Sequence, residues 1–211
     1  GKTSVLNIIC GSIDIESGDI YLQGKNITNQ YDYVRYKKIG RVYQNPSLGT
    51  CPDMTILENL SLADNKGKAY SLKKGTDKSR INYYTNQLKG LQMGLEDKLY
   101  VPAGSLSGGQ RQALALLMSV MPPVDILILD EHTAALDPNT AEIIMNLTDK
   151  IIKENSLTAI MVTHNLRYAM QYGNRLVMMH QGNIILDIKD EEKKKAEKED
   201  ILRLYNNIST D

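Results

Sequence analysis

The hydrophobic positions of this chain fall into short continuous runs, separated by longer segments of mixed character. Short apolar runs bounded by turn residues are typical of strands buried on both faces in a parallel sheet. Two such runs cover residues 124–129 and 157–162, and residues 39–43 read as another strand. A shorter one, 20–22, also reads as a strand, and runs 176–179 and 184–188 flank Gln181-Gly182-Asn183 and predict an antiparallel hairpin.

Between these runs, apolar residues recur at the spacing of an amphipathic helix. Asp137-Pro138 supplies an N-cap and a first-turn proline for one helix, while Gly11 and Pro122-Pro123 end two others. The predicted helices cover residues 5–10, where the helix continues from Gly1-Lys2-Thr3, and residues 55–63, 77–93, 107–121 and 138–153. Alternating strands and helices predict an α/β fold with a mainly parallel sheet and a small antiparallel region.

One segment departs from this alternation, because residues 46–121 carry helical patterns without a strand. We predict that they form a helical subdomain inserted in a single domain that covers residues 1–211. Within the subdomain, residues 64–76 are polar and rich in Gly and Lys, which indicates a loop.

The C-terminal segment, residues 189–211, is charged and predicted to be helical. Its acidic and basic residues are interleaved, with the i,i+4 spacing that favours ion pairs at Asp190–Lys194 and Glu191–Lys195. We therefore expect the charged run over 189–200 to be a solvated helix face.

Composition narrows the range of functions. The 211 residues include 25 Lys+Arg and 25 Asp+Glu, so the chain lacks the basic excess of nucleic-acid-binding proteins. Its two cysteines, Cys10 and Cys51, make no metal-type cluster; a reduced cytosolic chain is favoured, with a disulfide as the open alternative. No apolar run approaches the roughly 18 residues of a membrane span. Work at a membrane would therefore require docking onto another protein.

The first candidate for chemistry is Gly1-Lys2-Thr3-Ser4, which precedes an apolar helix. It matches the tail of a phosphate-binding loop, in which backbone N–H groups cradle phosphates, Lys contacts the outer phosphates and a hydroxyl binds Mg²⁺. The helix N-terminus adds a favourable dipole. An ordinary surface turn is the alternative for this short motif alone.

The second candidate is the carboxylate pair Asp130-Glu131 at the end of an apolar strand. The carboxyl edge of a parallel sheet is where α/β proteins bind ligands. Asp130 can hold Mg²⁺ and Glu131 can orient or deprotonate an attacking water. Two acids that merely cap a strand are the alternative.

The third candidate is Leu106-Ser107-Gly108-Gly109-Gln110 at the start of a helix. Bare glycine backbone can approach an anion closely, and the serine hydroxyl can donate to a phosphate oxygen. A flexible turn with a serine cap is the alternative. The five residues together resemble the signature of ABC-type ATPases. Further family marks follow in the family's order: the Q-loop glutamine at Gln44, the D-loop at Ala135-Leu136-Asp137 and the switch histidine at His164.

This resemblance implies a P-loop NTPase core that binds ATP and Mg²⁺, and it assigns site residues by motif. Catalytic roles fall on Glu131, His164 and Gln44. Mg²⁺ would be held by Thr3, Gln44 and Asp130. ATP would be bound by Gly1, Lys2, Thr3, Ser4, Ser107, Gly108, Gly109, Gln110 and Asp137. His132 and His180 match no functional mark and are expected to be structural or exposed.

The resemblance also implies an assembly. Two ATPase subunits would form two composite sites and act on transmembrane permease subunits at the cytoplasmic face of the inner membrane, with residues 46–59 as the docking surface. The run 130–137 resembles importers that work with uncharacterised or tryptophan/tyrosine-type periplasmic binding proteins. A regulatory dimerisation switch without sustained turnover is one alternative. An ABC ATPase acting on nucleic acid or ribosomes is another, and the neutral charge argues against it.

Two features depart from the family pattern. His132 stands where proline usually follows the catalytic glutamate. The chain also begins inside the phosphate-loop motif, so we expect a fragment that lacks the first strand, the start of this loop and the adenine-stacking aromatic residue. Such a fragment is expected to bind ATP poorly.

Overall fold

A computed structural model describes residues 1–69, 75–76 and 78–208 of this chain. Its strands are β1 (Tyr21–Leu22), β2 (Lys25–Asn26), β3 (Ile39–Val42), β4 (Ile126–Asp130), β5 (Thr158–Val162), β6 (Arg175–His180) and β7 (Asn183–Lys189). Its α-helices are α1 (Lys2–Cys10), α2 (Asp32–Arg35), α3 (Ile56–Asp64), α4 (Ile81–Gly90), α5 (Gly108–Val120), α6 (Pro138–Glu154), α7 (Leu166–Gln171), α8 (Asp190–Lys195) and α9 (Lys198–Ile208). Short 3₁₀ turns cover Pro46–Leu48, Lys78–Arg80, Glu96–Lys98 and Ala103–Ser105.

The central sheet is parallel and has the strand order β3-β4-β5. Every residue of β4 is buried, as its continuous apolar run predicts. The prediction that β5 is buried on both faces is wrong at its start, where Thr158 and Ala159 are exposed. Within the described residues β5 pairs with β4 alone and is an edge strand. The α/β class with a parallel sheet is confirmed.

Two antiparallel pairs complete the strands, β1 with β2 and β6 with β7. The hairpin β6–β7 turns over two residues, Gln181 and Gly182, whose φ angles are 45° and 84°. Positive φ at both central positions is the type I′ geometry that matches strand twist. The predicted hairpin is therefore confirmed.

Helices α3, α4 and α5 share a hydrophobic core with the sheet and with α6, including Leu60, Leu88, Leu114, Leu127 and Ile144. Helix α3 begins with a capping box between Thr55 and Glu58. Helix α4 is shorter than the predicted 77–93, because a 3₁₀ turn precedes it and Gln92 has a positive φ of 55°. The predicted loop over 64–76 lies partly outside the described residues.

The charged segment after β7 breaks into α8 and α9 at Ala196, which is extended. The expectation of a wholly solvated face is wrong at Lys193, which is buried and donates from Nζ to the carbonyl oxygens of Tyr172 and Gly173. Burial lowers the pKa of Lys193. Glu191 pairs with Lys194 at 2.7 Å rather than with the residue four positions on.

Both cysteines are free thiols, with Cys10 buried, so the alternative of a disulfide between them is not adopted. Among the residues that the structure describes, no helix combines the length and the hydropathy that crossing a bilayer requires.

Candidate functional site

The carboxyl ends of β4 and β5 bring two predicted catalytic residues into contact. Glu131 directly follows β4, and its N–H extends the ladder by donating to the Val162 carbonyl at 2.9 Å. Its Oε1 lies 2.6 Å from Nε2 of His164, which follows β5. The side chain of His164 is 59% exposed, whereas that of Glu131 is 17% exposed. The pair thus joins a sheltered carboxylate to an accessible imidazole.

Glu131 adopts a backbone conformation that is rare for its residue type, with a φ of 49°. A non-glycine residue in this left-handed region stores conformational energy and is more frequent at functional sites. The ladder bond from its N–H and a turn bond from Ala134 N–H to its carbonyl hold it there. The fold therefore fixes where the Glu131 carboxylate lies.

All three residues predicted to bind Mg²⁺ line one cavity of about 480 Å³. Thr3 comes from α1, Gln44 follows β3 and Asp130 ends β4. Hydroxyl, amide and carboxylate oxygens are the donors that Mg²⁺ prefers, so the chemistry of this donor set fits the ion. Within the described ranges there is no cluster of three or more His, Cys, Asp or Glu residues that suits a metal, so a site would depend on this mixed set.

A residue that sequence reasoning missed lies in the same cavity. Arg41 Nη2 contacts Asp130 Oδ2 at 2.9 Å, and the two side chains are only 7% and 12% exposed. The guanidinium also lies over the Tyr43 ring, 4.7 Å from its centroid. Burial raises the pKa of Tyr43 to about 12, so this ring stays neutral beside the cation. An arginine inside the apolar run of β3 was the signal that could have found this pair.

The N-cap of α1 is Gly1, which offers no side chain to the first N–H groups of the helix. Lys2 is half-buried, whereas Thr3 and Ser4 are exposed. Unpaired N–H groups, the helix dipole and a lysine together favour an anion at this position.

The signature residues form the start of α5 and make local contacts. The Ser107 side chain accepts from Gln110 N–H, and the Gln110 side chain accepts from Ser107 N–H, both at 3.3 Å. This is a capping box, so the serine-cap alternative describes part of their role. None of residues 107–110 lines the cavity that contains Asp130.

Gly109 has a packing role that its motif did not suggest. It is buried, and a Cβ at this position would lie 2.2 Å from Cγ2 of Thr140 on α6. Real Cβ atoms do not approach this closely, so α5 and α6 meet here only because residue 109 lacks a side chain. By contrast, a Cβ at Gly108 would make an ordinary contact with Leu136 at 3.5 Å.

Gly109→Ala is therefore expected to lower the free energy of unfolding by about 1–3 kcal/mol, because the added methyl overpacks the α5–α6 contact. Thr140→Ser removes the opposing methyl and is expected to recover most of that loss in the double variant. Urea unfolding of both single variants and the double variant measures this coupling. Gly108→Ala is the matched control; a loss as large as that of Gly109→Ala would contradict the close approach.

Asp137, the last residue of the D-loop, and His132, three residues before this loop, both have structural contacts. The Asp137 side chain caps α6 by accepting from Thr140 N–H at 3.1 Å, and hydrogen bonds from the side chain and then the backbone of Thr140 lower the pKa of the carboxyl. His132 is 2% exposed, and its Nε2 lies 3.1 Å from the Thr148 hydroxyl. That hydroxyl donates to the Ile144 carbonyl, so it accepts from His132 Nε2–H. Burial lowers the pKa of His132 to about 4 and keeps it neutral.

Comparison with known proteins identifies the family. The model of the ABC transporter family matches residues 1–134. The chain is 49% identical to a tyrosine transport ATP-binding protein of Clostridioides difficile, an alignment that covers 97% of this chain and 81% of that relative. It is 33% identical to a phosphonates import ATP-binding protein of Lactobacillus acidophilus, over 93% of this chain and 77% of that relative.

The fold leads to the same family. The dimeric post-hydrolysis structure of the ATP-binding cassette MJ0796 bound to ADP and Pi superposes with a TM-score of 0.73, at 29% identity, over 90% of this chain and 80% of that one. Fold, motif order and sequence identity agree. The chain therefore belongs to the ABC transporter family, as a subunit of its ATP-binding and ATP-hydrolysing kind.

Proposed function

We propose that this protein is the motor subunit of an importer and hydrolyses ATP with Glu131 as the general base. The observation that carries this proposal is the 2.6 Å contact between Glu131 and His164 beside Asp130. A structural protein needs no sheltered carboxylate in a strained conformation, held by an accessible imidazole. A hydrolase that must orient a water does.

In this proposal the chain's residues divide the reaction between them. The N-terminus of α1, with Lys2 and Ser4, binds the phosphates of ATP. Glu131 accepts a proton from the water that attacks the terminal phosphate, and ADP and inorganic phosphate leave. His164 positions that carboxylate and remains accessible to the phosphate, since 59% of its side chain is exposed. These effects are positioning and charge stabilisation, as phosphoryl transfer requires.

Thr3, Gln44 and Asp130 would hold Mg²⁺ in this site, because their oxygens line one cavity. A bound Mg²⁺ would supply positive charge to the β- and γ-phosphates. Gln44 lies between this cavity and the segment 46–59, so it is placed to couple the two. In that segment Leu48 is 68% exposed, which suits a surface that docks onto a permease subunit.

Two copies of the chain would complete each site. The signature residues 107–110 do not line the Asp130 cavity, so their phosphate contact is proposed to be made with a second subunit. The dimeric form of the similar cassette MJ0796 supports this arrangement. ATP would then act as an interfacial ligand that favours the closed dimer.

The transported substrate and the location follow from the relatives. Because the two curated relatives above are named for tyrosine transport and phosphonate import, we propose an importer and take tyrosine as the first substrate to test. The subunit would work at the cytoplasmic face of the inner membrane, bound to permease subunits that receive substrate from a binding protein.

Mixing two inactive variants tests the composite site. Lys2→Ala disables the phosphate loop and Ser107→Arg disables the signature, and each protein alone is expected to lose ATP hydrolysis. In a mixed dimer, the loop of the Ser107→Arg chain faces the intact signature of the Lys2→Ala chain. We therefore expect hydrolysis to return in the mixture, at about half the wild-type activity per mixed dimer when the two sites act independently.

The doubly substituted protein, Lys2→Ala with Ser107→Arg, is the control, because no pairing of its copies restores a site. Recovery in the mixture but not in this control supports the proposal. Mixtures that stay inactive, while wild-type protein hydrolyses ATP, would place each site within one chain. Nucleotide binding without hydrolysis by wild-type protein in its permease complex would instead support a regulatory switch.

A further inference from the structure

We propose that Arg41 is the resident counter-ion of Asp130 in the nucleotide-free protein, and that it must release this carboxylate before Asp130 can serve a divalent cation. This rests on the proposed function of the Asp130 cavity. Arg41 would therefore set the Mg²⁺ concentration at which nucleotide binds. It is a positioning residue, since it acts through Asp130.

The contact between Arg41 and Asp130 is close and buried, as competition between Arg41 and a divalent cation requires. The two side chains are 7% and 12% exposed, and Arg41 Nη2 lies 2.9 Å from Asp130 Oδ2. A buried carboxylate without a partner is costly, so a positive charge beside Asp130 stabilises the fold. The guanidinium provides that charge when no other cation is present. Arg41 and a divalent cation therefore compete for one anionic group.

The surroundings give Arg41 an alternative position. It lines both the cavity that contains Thr3, Gln44 and Asp130 and a neighbouring cavity of about 360 Å³. Tyr43 lines both cavities as well, and its ring lies 4.7 Å below the guanidinium. A swing of Arg41 over this ring into the second cavity would free the Asp130 carboxylate while keeping the cation–π contact.

The hydrogen bonding of Arg41 is also incomplete. Its Nε is buried and has no hydrogen-bond partner among the residues that the structure describes. The guanidinium thus gives up less by leaving than a fully bonded one would, although it also has side-chain hydrogen bonds with Tyr36 and Cys10. In Arg35, by contrast, all three side-chain nitrogens have partners and donate to the carbonyl oxygens of residues 8, 9, 28 and 30.

The second cavity explains why the ion pair is the resting arrangement. Lys66 lines it, and its Nζ donates to the Ile39 carbonyl at 3.0 Å. A guanidinium in that cavity would approach this like charge, which favours its return to Asp130 when the competing cation leaves. Arg41 therefore has one position beside an anion and one beside a cation, and ligand binding decides between them.

The test is a Mg²⁺ titration of nucleotide binding, which requires no turnover. Full-length protein is mixed with a fluorescent, non-hydrolysable ATP analogue, and the Mg²⁺ concentration at half-maximal binding is recorded. Arg41→Met removes the charge but keeps an extended apolar side chain. We expect it to lower this midpoint by about tenfold, the equivalent of one charge-assisted hydrogen bond. Arg41→Lys is expected to shift it in the same direction by less, because lysine is a poorer match to a carboxylate.

The matched control is Arg175→Met, which breaks another arginine–carboxylate pair, with Asp187 at 2.6 Å on the exposed hairpin. Its midpoint is expected to equal that of wild type. An unchanged or raised midpoint in Arg41→Met and Arg41→Lys would overturn the proposal and make the pair purely structural. If Arg41→Met does not fold, Arg41→Lys alone decides by the same criterion.

A second measurement separates this proposal from the proposed function. In thermal unfolding without nucleotide, added Mg²⁺ is expected to raise the melting temperature of Arg41→Met but not that of wild type. If wild type binds no nucleotide at any Mg²⁺ concentration, the proposed function fails, and this thermal shift still tests the competition. Wild-type binding together with equal Mg²⁺ responses of wild type and Arg41→Met would refute the role of Arg41 alone.

Discussion

Replacing Glu131 with glutamine is expected to reduce ATP hydrolysis by about a hundredfold to ten-thousandfold, the range attributed to a positioned general base. Glutamine keeps the size of the side chain and can still hydrogen-bond to His164, which lies 2.6 Å from Glu131 in the structure. Its amide cannot accept the proton of an attacking water. Steady-state phosphate release measures the loss. Because the phosphate-binding residues are untouched, the variant is expected to retain an ATP-bound dimer.

The backbone conformation at position 131 affects wild type and Glu131→Gln equally, so a difference in turnover reports on the carboxylate. Glu131 has a positive φ of 49°, and glutamine shares the same aversion to that region, so the stored strain is alike in both proteins. The matched control is Glu142→Gln, which neutralises a carboxylate on α6 that pairs with Arg167 at 3.0 Å. Turnover of Glu131→Gln within about twofold of wild type, or an equal loss in the control, would exclude Glu131 as the base.

Acidification is expected to destabilise the protein through His132. The buried ring has a pKa of about 4, against about 6.5 in the unfolded chain, so the unfolded state binds the proton first. The stabilising contribution is fully present above pH 6.5 or so and is lost as the pH falls towards 4. The free energy of unfolding is expected to fall by about 3 kcal/mol over this window, since each unit of pKa difference between the folded and unfolded states corresponds to about 1.4 kcal/mol.

Urea unfolding between pH 7.5 and 4.5 measures this dependence, with His132→Gln as the test variant. Glutamine does not titrate and its amide can still donate to the Thr148 hydroxyl, which His132 contacts at 3.1 Å. The variant is therefore expected to show a shallower loss of stability in acid. His180→Gln, at the end of β6, makes the same substitution outside this contact and is the matched control. A slope in His132→Gln as steep as in wild type would contradict the assignment.

Glu131 and His132 are neighbours in the chain but lie in opposite environments. Glu131 contacts His164 and is held in a strained conformation, whereas His132 is buried in the core and is neutral. The bond from His132 to Thr148 anchors the chain directly after Glu131, the proposed general base. Loss of that anchor in acid would disturb Glu131 before the whole domain unfolds.

Local interactions account for what the sequence determined by itself. Thr55, Ser107 and Asp137 each cap the helix that follows, because a side-chain oxygen needs only the N–H group three residues on. Apolar runs predicted β3 and β4, and Gln181-Gly182 predicted the hairpin, since strand burial and turn type depend on neighbouring residues. The motif order identified the family, and with it the residues whose roles the experiments above test.

Tertiary structure alone decided the features that join distant parts of the chain. Arg41 meets Asp130 across 89 positions, and Gly109 is required by the approach of Thr140 on another helix. The charged run around Lys193 predicts a solvated helix face. Lys193 is nevertheless buried, because the carbonyl oxygens of residues 172 and 173 accept hydrogen bonds from its Nζ. No pattern of spacing encodes such contacts, because they depend on which surfaces the sheet brings together. For this protein the sequence therefore determined the motifs and the caps, and packing determined what each charged or glycine residue touches.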